Sequence, residues 1–394
     1  MRTIARDIFW LALLATAALL QSGCAHSANT ADIQSRENIY LIGQDLDAIR
    51  GYYDSKCCEA PDGTTAYLTL YNLLDAKLNY GGLGVDKKLK PTSSEVGWGS
   101  GPVSAWKSAS EFEGEYLAIG LSITEQYEKN GLKRIVAGEF DREIVHLAAF
   151  AKATDRTVLL RIGYEFDGRW NAGYDNPARF VAAWQRIVDQ MRANGATNVR
   201  YVWQASTSPI DDILDRRHDN ITQWYPGNAY VDWVGASWFV RPDEMPTSPL
   251  ATYKPSTARA LMDEVLAFAR ARQKPVMVAE LSPQGFDLQR HTRRFISPLW
   301  DGPSGNGSQA VTNEQIWDLW FQPFLDYLTV NDDAIDAIAY INVNWDSQPM
   351  WTAPYANGYW GDTRLEVNPV INARWNAAIS DWRNAGKTKK AGDR

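Results

Sequence analysis

The sequence predicts an α/β protein built as a single (β/α)₈ TIM barrel with long loops at the C-terminal face. Eight short apolar runs alternate with amphipathic helical segments between residues 39 and 383, which indicates a parallel sheet. The number eight favours a closed barrel over an open doubly wound sheet. No glycine-rich phosphate loop follows the first strand, and this disfavours a nucleotide-binding fold.

The strands are predicted from runs rich in apolar and β-branched residues. In chain order they are Ile39–Ile42, Thr64–Tyr71, Glu115–Leu121, Thr157–Tyr164, Val199–Trp203, Tyr230–Ser237, Pro275–Ala279 and Ala334–Val343. Helix starts are indicated at Asp141, at Asn176-Pro177, at Ser256 and at Thr312, where a capping residue precedes an apolar stripe. Two segments without periodicity, Gly81–Ala109 and Leu281–Val311, are predicted to be long loops, which are often functional.

Composition narrows the class of protein. The chain has 394 residues, of which 45% are hydrophobic, so a full core can form. The net charge of −7 argues against a nucleic-acid partner, which would need a basic face. The 17 tryptophans and 18 tyrosines fit either a large core or a set of flat platforms for sugar rings. We expect a monomer.

The first 24 residues are typical of a targeting segment. Arg2 and Arg6 precede a 13-residue apolar run, Ile8–Leu20, that is too short to span a bilayer comfortably. The run leads into Leu20-Gln21-Ser22-Gly23-Cys24, which resembles a bacterial lipobox, although Gln21 stands where an aliphatic residue is usual. We expect a lipoprotein-type signal peptide over 1–24 with lipidation of Cys24. Ordinary cleavage after Ala25 or Ser27 is the alternative.

This leader predicts export to the periplasm or the outer membrane of a bacterium. The expected organisation is a polar tether over 25–38, a catalytic barrel over 39–383 and a basic tail over 384–394. Contact with a membrane would then occur only through the N-terminal lipid anchor.

No cofactor and no metal are expected. The four histidines lack metal-ligand spacing, and after the leader only the adjacent Cys57 and Cys58 remain, without a Cys-x-x-Cys pair. We interpret these two cysteines as a local loop feature rather than a redox centre.

Two predicted strands lead to a glutamate at the C-terminal mouth of the barrel. Glu165 follows the fourth strand and Glu280 follows the seventh. Strands four and seven face each other across a closed barrel, so the two carboxylates can flank one bond. A retaining glycosidase needs such a pair about 5 Å apart. Alone, a glutamate at a strand end could equally cap the next helix.

Several other side chains are candidates for sugar contacts, each with a structural alternative. The tryptophans at strand ends or just beyond them could be substrate platforms or core residues: Trp170, Trp203, Trp238 and Trp345. Asp45 could bind sugar hydroxyls or cap the first helix. Asp167 could support Glu165 or make the turn at Asp167-Gly168.

Four segments resemble glycoside hydrolase family 26, the β-mannanases and their relatives, over about Ile39 to Trp382. They are Arg161–Gly168, Tyr225–Gly235, Lys274–Glu280 and Gln44 after Gly43. The resemblance implies that Glu165 is the acid/base, Glu280 the nucleophile, Arg161 a supporting residue and Trp345 a platform. It also implies a double displacement through a glycosyl-enzyme.

The sequence departs from the mannanase pattern at two places. Tyr164 stands where those enzymes usually carry histidine, so we expect it to contact substrate in its own way. The sixth strand continues as Ser237-Trp238-Phe239 instead of Asp-x-Tyr, so a tyrosine that orients the nucleophile is missing or comes from elsewhere.

The predicted function is a retaining, endo-acting glycosidase for a β-linked polysaccharide, with mannan as the first expectation. The alternatives are the same chemistry on β-xylan, β-glucan or a bacterial exopolysaccharide. A non-catalytic sugar-binding lipoprotein is a third reading, but a binder has no need of the glutamate pair.

Overall fold

The computed structural model describes residues 38–74, 83, 96–97, 100–209, 217–244, 256–294, 307–355 and 358–392. All of them belong to one compact unit, Arg36–Arg394. The predicted signal peptide, the predicted lipidation site Cys24 and the tether up to residue 37 lie outside the described residues. The loop Gly81–Ala109 is described only in part.

Eight parallel strands close into a barrel in which every strand pairs with its neighbours in the chain, and the last pairs with the first. The predicted (β/α)₈ architecture is therefore confirmed. The strands are β1 Ile39–Gly43, β2 Gly63–Thr69, β3 Tyr116–Ser122, β4 Thr157–Ile162, β5 Val199–Ala205, β6 Trp233–Trp238, β7 Val276–Leu281 and β8 Ile335–Ile341.

Helices surround the barrel and cover its outer face. They are α1 Leu46–Ser55, α2 Ala105–Ser110, α3 Gly131–Val136, α4 Asp141–Ala153, α5 Pro177–Ala193, α6 Ala258–Ala271, α7 Asn313–Ile316, α8 Gln322–Val330 and α9 Pro369–Gly392. A π-helical turn, Trp317–Phe321, joins α7 to α8. Short 3₁₀ turns occur at Leu70–Asn72, Arg217–Trp224, Trp345–Ser347 and Leu365–Val367.

The capping residues explain where several helices begin. Asn176 accepts a hydrogen bond from the Arg179 amide before Pro177, as the sequence predicts. Thr312 begins α7 with a capping box, also as predicted. The starts of two other helices differ by one residue: Thr257 rather than Ser256 caps α6, and Asp141 is the first residue of α4 instead of its cap.

Both predicted long loops contain secondary structure. Within Leu281–Val311, three two-residue strands form an antiparallel sheet: Phe286–Asp287, Thr292–Arg293 and Gln309–Ala310. Within Gly81–Ala109, α2 is present, and Val96–Gly97 pairs with Pro102–Val103. Elements this short do not show a hydrophobic period in the sequence.

Helix α9 continues to Gly392, within the segment 384–394 that the sequence predicts to be a basic tail, and the tail stays a prediction. Alanine and lysine favour helix, so this part of the chain extends α9. The helix packs against the outer face of β1 through Trp375, which is fully buried and donates to the Tyr40 hydroxyl at 3.2 Å.

The barrel interior changes from apolar to polar along the strands. The lower layer contains Leu159, Val202, Met277 and Ala339, all fully buried. Two residues further along β4 and β5, on the same inward face, are Arg161 and Gln204. A polar layer of side chains therefore fills the barrel directly beneath its C-terminal mouth.

Candidate active site

Glu280 is held by two donors that reach it across the barrel interior. Its Oε1 accepts from Arg161 Nη1 of β4 and from the Tyr67 hydroxyl of β2, the latter at 2.8 Å. No described residue donates to Oε2, so this oxygen is available for a substrate. Met277 and Ala279 already face inward, and a register irregularity between β6 and β7 turns Glu280 inward as well.

Arg161 is a completely buried cation at the centre of the site. Its guanidinium carbon lies 5.0 Å from the centre of the Tyr67 ring and 5.2 Å from that of the Tyr164 ring. The faces of these two aromatic rings therefore complement its charge. Gly120 provides the room: a Cβ there would lie 2.8 Å from Tyr67 Cδ1 and 3.0 Å from Arg161 Nη2. Arg161 Nη1 also donates to Gln204 Oε1 at 3.1 Å.

Glu165 stands on the turn that leaves β4. Its φ of 54° is in the left-handed region, which is uncommon for a residue with a Cβ. Asn171 Nδ2 donates to its carbonyl at 2.8 Å and supports the turn. The carboxyl is 8% exposed, and its Oε1 accepts from the Ser237 hydroxyl at 2.6 Å.

The environments of the two glutamates differ in charge. Burial raises the pKa of Glu165 well above its ordinary range, and the negative charge of Glu280 adds to this effect. Glu280 instead has the guanidinium of Arg161 as its countercharge. A buried carboxyl group with a raised pKa beside a carboxylate that is paired with a cation is an arrangement typical of an acid/base and a nucleophile.

One continuous hydrogen-bonded chain joins the two glutamates. Starting at one carboxylate and ending at the tyrosine beyond the other, it runs Glu165, Ser237, Gln204, Arg161, Glu280, Tyr67. The structure thus brings together three residues selected from the sequence, Glu165, Glu280 and Arg161. Tyr164 joins them through its ring contact with Tyr67, whose centre is 5.7 Å away.

Three members of this site were not identified from the sequence: Tyr67, Gln204 and Ser237. A usable signal existed for Gln204, because a single amide interrupts the apolar run of its strand at an inward position. Tyr67 supplies from β2 the hydroxyl that the sixth strand lacks. Ser237, which the sequence marks only as a departure, occupies the inward position on β6 and contacts the other glutamate.

For two of the four candidate tryptophans, Trp203 and Trp238, the structure favours the core alternative. Trp203 has no exposed surface and stacks on Phe166 at 4.5 Å, with Phe268 of α6 on its other side. Trp238 is 1% exposed and packs against Tyr327 of α8. Both follow from the twofold alternation of a strand: their neighbours Gln204 and Ser237 point inward, so the tryptophans point to the helices.

Trp170 and Trp345 lie near the mouth of the barrel but differ in exposure. Trp170 is 47% exposed on the loop after Glu165, so part of its side chain is accessible to a ligand. Trp345 is 2% exposed in a cluster with Trp351 and Trp360, and its indole N–H donates to Thr363 Oγ1 at 3.1 Å. A platform role for Trp345 stays a prediction.

The two aspartates hold loops in place. Asp45 caps α1 through the amides of Asp47 and Ala48 and also accepts from Gln348 Nε2 at 2.9 Å. Burial raises its pKa to about 6. Asp167 accepts from the Ser206 amide at 2.6 Å and so ties the loop after β4 to the end of β5. Both carboxylates are at least nine-tenths buried, which favours the structural alternative for each.

In the described ranges, no cluster of three or more histidine, cysteine, aspartate or glutamate side chains is arranged to hold an ion. In the same part of the chain, no helix is long and apolar enough to cross a membrane.

Comparison with known proteins identifies the family to which this sequence belongs. The profile of glycosyl hydrolase family 26 matches residues 122–267. The β-1,3-xylanase TXYA of Vibrio sp is 30% identical over 362 residues, which cover 91% of this chain and 68% of that protein. The chain belongs to glycosyl hydrolase family 26. A second member, a β-1,3-xylanase of Alcaligenes sp, is 29% identical over 362 residues, covering 91% of this chain and 67% of its own.

Solved structures of family 26 share the fold. The catalytic domain of the endo-β-1,4-mannanase of Bacillus sp. JAMB-750 has a TM-score of 0.53 at 15% identity, covering 88% of this chain and 90% of that one. A modular endo-β-1,4-mannanase from Cellulomonas fimi has a TM-score of 0.51 at 14% identity, covering 88% and 71%. The protein is therefore an endo-acting glycoside hydrolase of β-linked polysaccharides, as the sequence predicts.

Substitutions of Trp203 and Trp170 test whether the first is a core residue and the second an exposed residue that contacts substrate. We expect Trp203→Ala to lower the free energy of unfolding by about 3–5 kcal/mol, because it empties a filled core site. Trp170→Ala should change stability by roughly 0.5 kcal/mol or less, since the side chain is exposed, but should raise KM for a polysaccharide. Urea unfolding and steady-state kinetics check the pair. Equal destabilisation by both variants would contradict the placement of Trp170 at the surface.

Proposed function

We propose that the protein is a retaining glycosidase in which Glu280 is the nucleophile and Glu165 the acid/base. The observation that carries this proposal is the difference between the two carboxyl environments. Glu280 is oriented by a cation and a hydroxyl and offers one oxygen to the cleft. Glu165 is a buried carboxylic acid with a raised pKa, as proton donation near neutral pH requires.

The reaction then proceeds in two displacements. Glu280 Oε2 attacks the anomeric carbon, while Glu165 gives its proton to the glycosidic oxygen, so the leaving sugar departs as a neutral alcohol. A glycosyl-enzyme ester on Glu280 results. Glu165, now ionised, takes a proton from water, which attacks the anomeric carbon and releases Glu280. Arg161 balances the charge that returns to Glu280 at this step.

For the substrate, we propose β-1,3-xylan. The support comes from two β-1,3-xylanases that are 30% and 29% identical across 91% of this chain. The two mannanases of solved structure are only 15% and 14% identical to this chain in sequence. They therefore support the fold and not the substrate. Tyr164, in place of the histidine usual in mannanases, also favours a substrate other than mannan. Mannan, expected from the sequence, stays a prediction that the same experiment tests.

Export also stays a prediction. A polymeric glycan does not cross a bilayer. An enzyme that cleaves internal bonds of such a polymer must therefore reach it outside the cytoplasm. The leader-like segment 1–24 and Cys24 provide the means, which lie outside the described residues.

The roles of the two glutamates can be separated with substrates of different leaving group. We expect Glu280→Gln to lose turnover on every substrate, because no nucleophile remains. Glu165→Gln should lose turnover on the natural glycan but form the glycosyl-enzyme from aryl glycosides with good leaving groups, which need no proton.

Burst kinetics with an activated aryl glycoside measure this difference. Glu366→Gln is the matched control, since Glu366 is a partly buried glutamate that accepts from Asn342 and lies outside the chain that joins the two catalytic candidates. Wild-type activity in both Glu165→Gln and Glu280→Gln would sink the assignment.

Tyr67 is expected to orient the nucleophile. Tyr67→Phe removes one hydrogen bond to Glu280, and bonds to charged groups contribute about 1.5–3 kcal/mol. We expect kcat to fall roughly 10- to 100-fold with a smaller change in KM. Tyr40→Phe, which removes a buried hydroxyl in the outer core, is the control. Unchanged kcat in Tyr67→Phe would contradict the orienting role.

A panel of polysaccharides identifies the substrate. Reducing-sugar release should be fastest on β-1,3-xylan, compared with β-1,4-xylan, mannan, β-glucan and bacterial exopolysaccharides, and should vanish in Glu280→Gln. If mannan were hydrolysed faster than β-1,3-xylan, the proposed substrate would be rejected, but the double-displacement mechanism would still stand. Binding to one glycan without any release would instead support a sugar-binding protein.

A further inference from the structure

The chain of hydrogen bonds between the two glutamates has a fixed direction. A guanidinium has only donors, so Gln204 must present its Oε1 to Arg161, and the two atoms lie 3.1 Å apart. The amide nitrogen of Gln204 is thereby directed to Ser237 Oγ, also at 3.1 Å. Gln204 and Ser237 are both fully buried, so water does not offer either of them another partner.

The donor and acceptor roles of Gln204 also determine how Ser237 contacts Glu165. Its oxygen accepts from Gln204, and its only proton is left for Glu165 Oε1, which lies 2.6 Å away. Among the described residues, Glu165 is the acceptor for this hydroxyl. If the proton of the acid sat on Oε1, the Ser237 proton would be left without a partner in a buried site, which is costly.

We propose that Gln204 and Ser237 are positioning residues that determine which carboxyl oxygen of Glu165 carries the proton used in catalysis. Oε1 accepts from Ser237, so the proton is carried by Oε2. The Oε2–H bond breaks as the proton passes to the glycosidic oxygen, and that oxygen keeps the electron pair of the cleaved C–O bond. Oε2 regains a proton from water in the second step. This inference rests on the proposed acid/base role of Glu165.

The Ser237 hydroxyl also moderates the acidity of Glu165. Burial and the charge of Glu280 raise the pKa of Glu165, and Asp167 on its own loop raises it further. Ser237 and the cation Arg161 act in the opposite direction. Glu165 must be protonated for the first displacement and ionised for the second. Without the hydroxyl it would be harder to ionise.

The test is the pH dependence of kcat/KM on the polysaccharide that the wild type hydrolyses fastest. The first displacement needs protonated Glu165, so activity is lost as pH rises through its pKa. Ser237→Ala removes a hydrogen bond to the carboxylate form and should move this alkaline limb to higher pH by on the order of one unit. Ser237→Thr keeps the hydroxyl and should return the limb towards the wild-type position.

Ser282→Ala is the matched control. Ser282 is equally buried just after Glu280, and its hydroxyl has no hydrogen-bond partner in the described structure, so the same substitution should leave the limb in place. If Ser237→Ala does not fold, Gln204→Met is measured instead. It should move the limb in the same direction, because Ser237 Oγ, without its donor, can then accept a hydrogen bond from protonated Glu165 and so favour the protonated form.

The outcomes separate this inference from the proposed function. An unmoved limb in Ser237→Ala or, where that variant does not fold, in Gln204→Met overturns the positioning role, while Glu165→Gln still loses the natural glycan. Wild-type hydrolysis by Glu165→Gln overturns the acid/base assignment, and with it the inference. A moved limb in the Ser282→Ala control would show that any buried hydroxyl at the mouth has this effect, which also overturns it.

Discussion

The ion pair between Arg161 and Glu280 is the interaction on which the rest of the site depends. A buried guanidinium is costly to desolvate, and the barrel compensates with a carboxylate, an amide oxygen and two aromatic faces. Arg161 comes from β4 and Glu280 from β7, so the pair exists only when the barrel is closed. The same cation that balances Glu280 also orients Gln204, and through it Ser237 and Glu165. Charge at the centre therefore organises the whole polar layer.

Strand geometry explains why polar and aromatic residues next to each other in the sequence have opposite roles. On β5, Gln204 enters the barrel while Trp203 packs beneath α6. On β6, Ser237 enters the barrel while Trp238 packs beneath α8. Large aromatic side chains fill the layer between strands and helices, and small or hydrogen-bonding ones fill the interior. The abundance of tryptophan thus serves the core at these strand ends more than the cleft.

The departures from the mannanase pattern become one rearranged set of contacts. On the sixth strand, Ser237-Trp238-Phe239 replaces Asp-x-Tyr, and the short hydroxyl side chain of Ser237 contacts Glu165. Tyr67 of β2 provides the hydroxyl for Glu280. Tyr164 packs edge-on against Tyr67 and covers Arg161. Contacts from three different parts of the barrel mouth thus surround the two glutamates and Arg161.

The sequence by itself determined the eight-stranded barrel and the two glutamates at strand ends, because local hydrophobic pattern and strand alternation are properties of neighbouring residues. Arg161 was selected through the resemblance of Arg161–Gly168 to family 26. Only the tertiary structure decided which donors meet each carboxylate. Tyr67 lies 213 positions from Glu280, and Ser237 lies 72 positions from Glu165. Such pairs form when the barrel closes, and the register irregularity that turns Glu280 inward arises from pairing between β6 and β7. Neither leaves a local signal in the sequence.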